Sequence, residues 1–205
     1  MTIQRSHRAL PDGYRYRICT SEDKETILDL VLNHFIPSIP HRVALGHTAA
    51  NCRLTAEYLV EKCLHDPYSV VIEHEATGEI AAFSILSLAF RDSSREFSPF
   101  DIAIDNEDES VLRKEITYVM PNHRRRGLAE CILSLNIALA EKTDSSIDGI
   151  TAEATSSANQ TLLAKNGFVK IMEVFWNGYR LPDGNVMDSN LPNDLKSFHL
   201  LYLTL

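Results

Sequence analysis

The 205-residue chain has an ordinary globular composition, with 44% hydrophobic and 23% charged residues, which excludes extended disorder and a fibrous repeat. Its formal net charge of -8 argues against nucleic acid as the main partner, because binding a phosphate backbone needs a broad basic surface. No apolar run approaches the roughly 20 residues that cross a bilayer. The first ten residues also lack the apolar core of a signal peptide.

We therefore expect residues 1–205 to form one soluble, cytoplasmic domain without membrane contact, either a monomer or a weak homodimer. The four cysteines are scattered, and their spacing is not that of zinc ligands. They are predicted to be reduced core thiols, and no metal is expected; they are Cys19, Cys52, Cys63 and Cys131.

Strand and helix patterns follow one another along the chain. A strand at 14–19 is followed by helices at 24–35 and 50–64, the first with a Thr20/Ser21 N-cap. Two prolines, Pro37 and Pro40, are predicted to prevent regular helix between them. A hairpin formed by SVVIEHE and EIAAFSILSLAF comes next.

Residues 91–110 are polar and acidic and are interpreted as a long loop or lid. The remaining predicted elements are strands at 114–120, 149–154 and 169–176, helices at 127–142 and 157–166, and the terminal strand SFHLLYLTL. This order implies an α/β or α+β domain with a mixed central sheet.

A basic cluster stands out in the stretch YVMPNHRRRGLAECIL (residues 118–133). A strand ends, three arginines follow, and a glycine opens a helix whose first N–H groups have no partner within the helix. Gly127 allows a ligand to approach the backbone closely, and arginines form charge-assisted hydrogen bonds with phosphate. The turn therefore predicts a pyrophosphate site, although on the quartet RRRG alone a solvated basic turn before a helix is the more common case.

Two motifs together resemble a known family. The run RRRGLA (124–129) matches the Q/R-x-x-G-x-G/A signature of the GNAT superfamily of acyl-CoA-dependent N-acetyltransferases, and NQTLLAKNGF (159–168) resembles its fourth helix and closing K-x-G-F. The resemblance covers nearly the whole chain. It implies a GNAT fold, with a mixed sheet of about seven strands splayed between the fourth and fifth. It also implies that acetyl-CoA is the co-substrate and a small amine the acceptor.

Within the superfamily, HFIPSIPHRVALG and ATSSANQTLLAKNGF resemble segments of the invertebrate arylalkylamine (dopamine-type) N-acetyltransferases. The resemblance assigns Val119 and Met120 to the pantetheine arm and thioester, and Asn159 to the pantetheine. The residues that would wrap the pyrophosphate are Arg124, Arg125, Arg126, Gly127, Leu128 and Ala129.

Glu115 is the candidate for the group that takes the amine proton. Strand alternation places Glu115, Thr117 and Val119 on one face, and the family often carries a base at this position. A surface carboxylate beside basic neighbours is an equally good interpretation. Thr155 and Ser156 are candidates for donating to the leaving thiolate, although capping of the following helix is the more usual role of such residues.

Phe35, Ile39, His41 and His47 border the segment that lines the amine pocket in related enzymes. For both histidines a structural role is the more common one. Ile39 occupies the position of a glutamate that serves the arylalkylamine enzymes as their proposed catalytic acid, and Leu163 the position of a general-acid tyrosine in many other members.

Three functions follow. The first is acetylation of a small primary amine, with arylalkylamines as one candidate class, by direct attack in a ternary complex. The second is non-catalytic acyl-CoA binding, which the missing proton-handling residues keep open. The third is acetylation of protein termini or lysines.

Overall fold

The computed structural model describes residues 8–90, 110–143, 147–181, 184, 186–187, 191–192 and 195–205. The strands are β1 (Tyr14–Ile18), β2 (Val70–His74), β3 (Ile80–Phe90), β4 (Ser110–Val119), β5 (Ile147–Ala154), β6 (Val169–Phe175) and β7 (Ser197–Thr204). The α-helices are α1 (Lys24–Leu30), α2 (Pro40–Ala44), α3 (Ala49–Leu64), α4 (Leu128–Thr143) and α5 (Ser157–Lys165). The predicted lid at 91–110 lies outside the described residues, except Ser110, which begins β4.

The described strands form one sheet in the order β1-β2-β3-β4-β5-β7-β6. Neighbouring strands are antiparallel except for the parallel pair β4–β5. The predicted seven-stranded mixed sheet with flanking helices is therefore confirmed. None of the described helices is both long enough and apolar enough to cross a membrane.

Helices cover both faces of the sheet. On one face, α1 and α3 pack against apolar residues of β2, β3 and β4, including Phe83 and Ile116. On the other face, α4 and α5 pack against a second set that includes Leu86, Leu112 and Ile150. The four cysteines are free thiols buried in these layers, as the sequence predicted.

Reciprocal hydrogen bonds fix two of the helix starts. The Thr48 hydroxyl accepts from Asn51 N at 3.3 Å, and the Asn51 side chain accepts from Thr48 N at 2.8 Å, which forms a capping box before α3. The backbone N–H of Thr20 donates to Asp23 at 2.8 Å in the same way before α1. Each pair gives a partner to a backbone N–H group that the helix itself leaves unpaired.

The proline-rich segment is more helical than the sequence predicted. The predicted helix 24–35 ends in a π-helical turn, Val31–Phe35, and a 3₁₀ turn, Ile36–Ser38, follows it. The short helix α2 then begins at Pro40. Proline is tolerated in the first helical turn, because the N–H group that it lacks has no helical partner there.

The parallel pair β4–β5 separates partway along its length. The register runs from Ser110↔Ile147 to Lys114↔Ala152 and then stops, although β4 continues to Val119. The end of β5 remains paired with β7. Beyond Lys114 the sheet is therefore open between its fourth and fifth strands, as predicted.

A β-bulge lies where the two strands part. Ile85 of β3 pairs with Ile116, whereas its neighbour Leu86 pairs with Lys114, so Glu115 is an extra residue on β4. A bulge bends its strand and increases the local twist. It therefore accounts for β4 turning away from β5 directly after Lys114.

The bulge also overturns the predicted alternation along β4. Glu115 contacts Lys62 of α3, whereas Thr117 contacts Lys114 and Ser84. The prediction that Glu115, Thr117 and Val119 share one face of the strand is wrong for Glu115. The extra residue shifts the alternation of side chains between the two faces by one position, so Glu115 lies on the face opposite to Thr117.

An ion-pair network joins the first strand to its neighbours. The Arg17 guanidinium donates to both oxygens of Asp23 at 2.7 Å and to Glu73 at 2.7 Å. Hydrogen bonds from Arg17 hold the pKa values of both carboxyl groups below their usual range. Glu73 also accepts from Arg15 at 2.9 Å.

Replacing Arg17 with methionine is expected to lower the free energy of unfolding by about 1–3 kcal/mol at pH 7, because two nearly buried carboxylates lose a charged partner. A carboxyl group with a lowered folded-state pKa stabilises above its unfolded pKa and ceases to do so as the pH falls through the folded value. The difference should therefore shrink below about pH 4.

Urea unfolding at several pH values measures this difference. Arg15→Met is the matched control, since among the described residues Glu73 is the one ion-pair partner of Arg15, whose side chain is 65% exposed, so its loss should cost less than about 1 kcal/mol. Equal costs for the two variants would contradict the role given to Arg17.

Candidate active site

A cleft of about 350 Å³ occupies the opening between β4 and β5. Its walls come from the free end of β4, the end of β5, the start of α5 and the turn before α2. The fold brings nine of the predicted site residues together here: Phe35, Ile39, Glu115, Val119, Arg124, Ala129, Thr155, Ser156 and Asn159. The backbone of β4 beyond Lys114 has no strand partner on this side.

The basic turn lies at one end of the cleft. It consists of a 3₁₀ turn, Pro121–His123, and a loop in which both Arg125 and Gly127 have left-handed backbone, with φ of 62° and 82°. Left-handed φ is uncommon for a residue other than glycine, and it is found most often where a turn has a functional shape. The loop leads into α4, whose first N–H groups and dipole attract an anion.

The three arginines of the turn have different surroundings. Arg124 donates from Nε to the carbonyl of Val119 at 3.1 Å and from Nη2 to the Tyr118 hydroxyl at 3.2 Å. These bonds hold Arg124 against the cleft wall. Arg125 and Arg126 are exposed, so their guanidinium groups are available to a ligand at the surface.

Arg8 is a fourth arginine at this turn, which the sequence analysis missed. It forms an ion pair with Glu130, and a Cβ atom on Gly127 would lie 2.6 Å from its Nη2 atom. Glycine at 127 therefore satisfies both the left-handed φ and the close approach of Arg8. Only a long-range contact places Arg8 here, so no local signal predicts it.

Five of the predicted cofactor residues lie outside the cleft lining: Met120, Arg125, Arg126, Gly127 and Leu128. The N–H of Met120 donates to Ala81 at 2.9 Å, and its carbonyl accepts from His123 N at 2.9 Å. Both backbone groups of Met120 are therefore already paired within the protein. The Leu128 side chain is buried in the core under α4, which leaves only its backbone facing the turn.

Glu115 lies on the α1/α3 side of the cleft. Its Oε1 accepts from Ser87 at 2.8 Å and lies 3.5 Å from Lys62 and 3.7 Å from Arg113. The side chain is only 14% exposed. It borders both the cleft and a smaller cavity of about 100 Å³ beneath α3.

Glu153 of β5 also lines both cavities, a second carboxylate that the sequence analysis missed. Burial raises the pKa of Glu153, and Arg113, with Nη2 at 3.4 Å, opposes this shift. The two cavities thus meet at a pair of carboxylates, one from each side of the opening. Such a pair favours a cationic group between them.

The start of α5 forms another wall. The Ser156 hydroxyl accepts from Asn159 N at 3.3 Å and is the N-cap of the helix, which confirms the capping interpretation of Ser156. Thr155 is half-buried and also lines the cleft. Leu163 is fully buried in the core, so the position of the family tyrosine does not face the cleft in this chain.

The splayed sheet and its cleft are found in solved structures. Arylalkylamine N-acetyltransferase 2 from Aedes aegypti superimposes with a TM-score of 0.78 at 13% identity, over 94% of this chain and 99% of that one. The chain has the GNAT fold. No protein-family profile and no curated protein sequence matches it.

Other proteins with the GNAT fold are also similar. The polyamine N-acetyltransferase of Drosophila melanogaster, described as forming N-acetylagmatine, gives a TM-score of 0.68 at 13% identity, over 94% of this chain and 100% of that one. NAA60 of Arabidopsis thaliana, in complex with acetyl-CoA, gives 0.61 at 10% identity, over 94% of this chain and 98% of that one.

The largest departure from the predicted site concerns the histidines. His41 of α2 is buried and stacks on Trp176, with ring centroids 5.2 Å apart and an interplanar angle of 18°. Through this contact α2 packs against the segment that follows β6. Neither His41 nor His47 lines the cleft of the GNAT fold, and the Nδ1 atoms of both are buried without a partner among the described residues.

Burial is the main reason that the pKa of His41 falls from 6.5 to about 4. A histidine with a lowered folded-state pKa leaves stability unchanged above its unfolded pKa. Stability is lost as the pH falls, because the unfolded chain takes up the proton first. The protein should therefore lose up to about 3 kcal/mol between pH 6.5 and 4.

Replacing His41 with phenylalanine retains an aromatic ring against Trp176 and removes this titration. The variant should show a flatter dependence of unfolding free energy on pH over that interval in denaturant titrations. His65→Gln is the control, since the His65 side chain is 85% exposed. A slope unchanged in His41→Phe would show that other groups cause the loss.

Proposed function

We propose that the protein is an N-acetyltransferase that transfers an acetyl group from acetyl-CoA to a small primary amine by direct attack. The observation that carries this proposal is the cleft where β4 and β5 separate, with a basic turn at one end and two carboxylates at the other. The basic turn suits the anionic end of a long substrate, and the two carboxylates suit a cation at the opposite end of the cleft.

The basic turn supports binding of coenzyme A. Its exposed arginines and the first N–H groups of α4 present positive charge to a pyrophosphate. From there the pantetheine arm would lie along the unpaired edge of β4, near Val119 and Asn159. The similar structure of NAA60 from Arabidopsis thaliana is a complex with acetyl-CoA, which supports acetyl-CoA as the ligand.

The other end of the cleft supports an amine acceptor. Glu115 and Glu153 attract an ammonium group, and the rings of Phe35 and Tyr118, 6.1 Å apart in edge-to-face contact, give the wall an aromatic character. The small volume favours a small amine, and the aromatic wall favours an arylalkyl group. Glu115 would accept the amine proton before the nitrogen attacks the thioester carbonyl.

Proton handling is the step for which the chain differs most from the arylalkylamine enzymes that its sequence resembles. Ile39 lines the cleft at the position where those enzymes carry a glutamate. The carboxylate of Glu115 already has two cationic neighbours, Lys62 and Arg113, which would compete with a substrate ammonium group for it. Thr155 lines the cleft, and in this proposal its hydroxyl donates a hydrogen bond to the leaving thiolate. A protein that binds acetyl-CoA without turnover is the second candidate, because Ile39 cannot transfer a proton and Glu115 is already paired with two cations.

Calorimetry with acetyl-CoA tests the cofactor site, and Gly127→Ala should weaken binding about tenfold or more by forcing alanine into left-handed backbone at the turn. Gly78→Ala is a matched control, since Gly78 has φ of 72° and open space around it, away from the cleft. Both variants should lose stability through the left-handed backbone, but only Gly127→Ala should also displace the Arg8 side chain and lose affinity. The absence of acetyl-CoA binding by the unmodified protein at micromolar concentration would exclude the proposed function.

A thiol-release assay with acetyl-CoA tests turnover against tryptamine, dopamine, agmatine, spermidine and a peptide with a free N-terminus. We expect release with one of the small amines. Glu115→Gln should lower kcat/KM by about tenfold to a thousandfold and remove the acidic limb of its pH profile, as expected of a general base. Binding without release for every amine would favour the non-catalytic candidate, and an unchanged profile in Glu115→Gln would assign the proton to another group.

A further inference from the structure

Lys114 lies at the point where β4 and β5 part. It belongs to the last residue pair of the two strands, and it lines both the cleft and the smaller cavity. Its side chain is buried, and its Nζ donates to the Thr117 hydroxyl, which lies 2.8 Å from Ser84 Oγ. The amine therefore lies toward the part of β4 that is no longer paired with β5.

Charged groups around Lys114 do not neutralise it. Arg113 and Glu115 flank it on β4, Glu153 faces the same cavities from β5, and Arg42 faces the smaller one from α2. Within the described ranges, no carboxylate lies within ion-pair distance of Lys114 Nζ; Glu115 instead pairs with Lys62 and Arg113. An ammonium without an anion is costly to bury, and burial lowers the pKa of Lys114 to about 7.

A neutral primary amine in this cleft has the same functional group as the proposed acceptor. The pantetheine arm has roughly thirteen bonds between phosphorus and sulfur, which extend about 15 Å at the advance per bond of an extended chain. Val119, next to the basic turn, and Thr117 are separated by about 7 Å along β4. Because Lys114 Nζ contacts Thr117, it lies within the reach of a thioester whose pyrophosphate occupies the turn.

We propose that Lys114 is an internal acceptor, so that the protein acetylates itself at this lysine. The proposal rests on the proposed binding of acetyl-CoA in the cleft. The Nζ lone pair forms a bond to the thioester carbonyl carbon, and the carbon–sulfur bond breaks with its electron pair on sulfur. The proton lost from Nζ passes to the thiolate, directly or through solvent, so the products are an amide and the thiol of coenzyme A.

The modification would be an end state and not an intermediate. An amide does not ionise and is not a leaving group for a second amine, so acetyl-Lys114 would remain in the cleft. It would fill the space where the two strands part and remove the ionisable amine there. Self-acetylation would therefore limit the activity of the protein when acetyl-CoA is plentiful and acceptor is scarce.

Peptide mapping tests the proposal on the full chain. The protein is incubated with deuterium-labelled acetyl-CoA and no acceptor between about pH 6 and 9, then digested with trypsin and analysed by mass spectrometry. Acetylation prevents cleavage after Lys114 and joins it to residues 115–124 in one peptide. The label at Lys114 should accumulate at least about tenfold faster at pH 7 than at exposed Lys142, because an ordinary exposed lysine is almost fully protonated there.

The pH dependence and variants separate a cleft reaction from surface chemistry. Labelling of Lys114 should rise through about pH 7 and then level off, and excess coenzyme A should suppress it without affecting Lys142. Gly127→Ala should slow it in proportion to the lost affinity, and Lys114→Arg should lose the label at this position while still unfolding cooperatively in urea.

Calorimetry on the same sample distinguishes the two proposals. Binding of acetyl-CoA with Lys114 unmodified, or labelled no faster than Lys142, would overturn self-acetylation and leave the proposed function intact. Failure to bind acetyl-CoA would overturn both.

Discussion

The end of pairing between β4 and β5 after Lys114 is the constraint on which the candidate site depends. A continuous parallel sheet would use the backbone groups of both strands and would leave no opening. The bulge at Glu115 bends β4 away from its neighbour, and the freed edge then forms one wall of the cleft. The positions of the basic turn, of α4 and of the carboxylates all follow from that separation, because each lies at or near the end of a separating strand.

Electrostatics divides this cleft into two unlike ends. The chain carries a net charge of -8, yet four arginines surround the turn at the start of α4. At the other end Glu115 of β4 and Glu153 of β5 both line the opening. An anion and a cation can thus approach from opposite sides and meet near Lys114, which is consistent with transfer between two substrates bound at the same time.

The parts of the site that the sequence predicted are those with local causes. A glycine in the turn, arginines ahead of a helix and a serine N-cap are all encoded within a few residues, and the structure contains each of them. The order of strands and helices could also be predicted, since the spacing of hydrophobic residues within a segment distinguishes a strand from a helix without knowledge of the other segments. The contribution of Arg8 to the basic turn could not be predicted, because Arg8 is close to Gly127 in space but far from it in the sequence.

The sequence by itself determined the strands and the α-helices other than α2, their order, the basic turn and the reduced, buried cysteines, because period, capping and turn chemistry act over short distances. Only the tertiary structure decided that Glu115 faces α3, that His41 stacks on Trp176 away from the cleft, and that Lys114 is buried with no carboxylate within ion-pair distance among the described residues. Those outcomes depend on strand register and on contacts between distant segments. One extra residue in β4 is enough to move a side chain to the other face of the sheet, and that residue is recognisable only once β3 and β4 are paired.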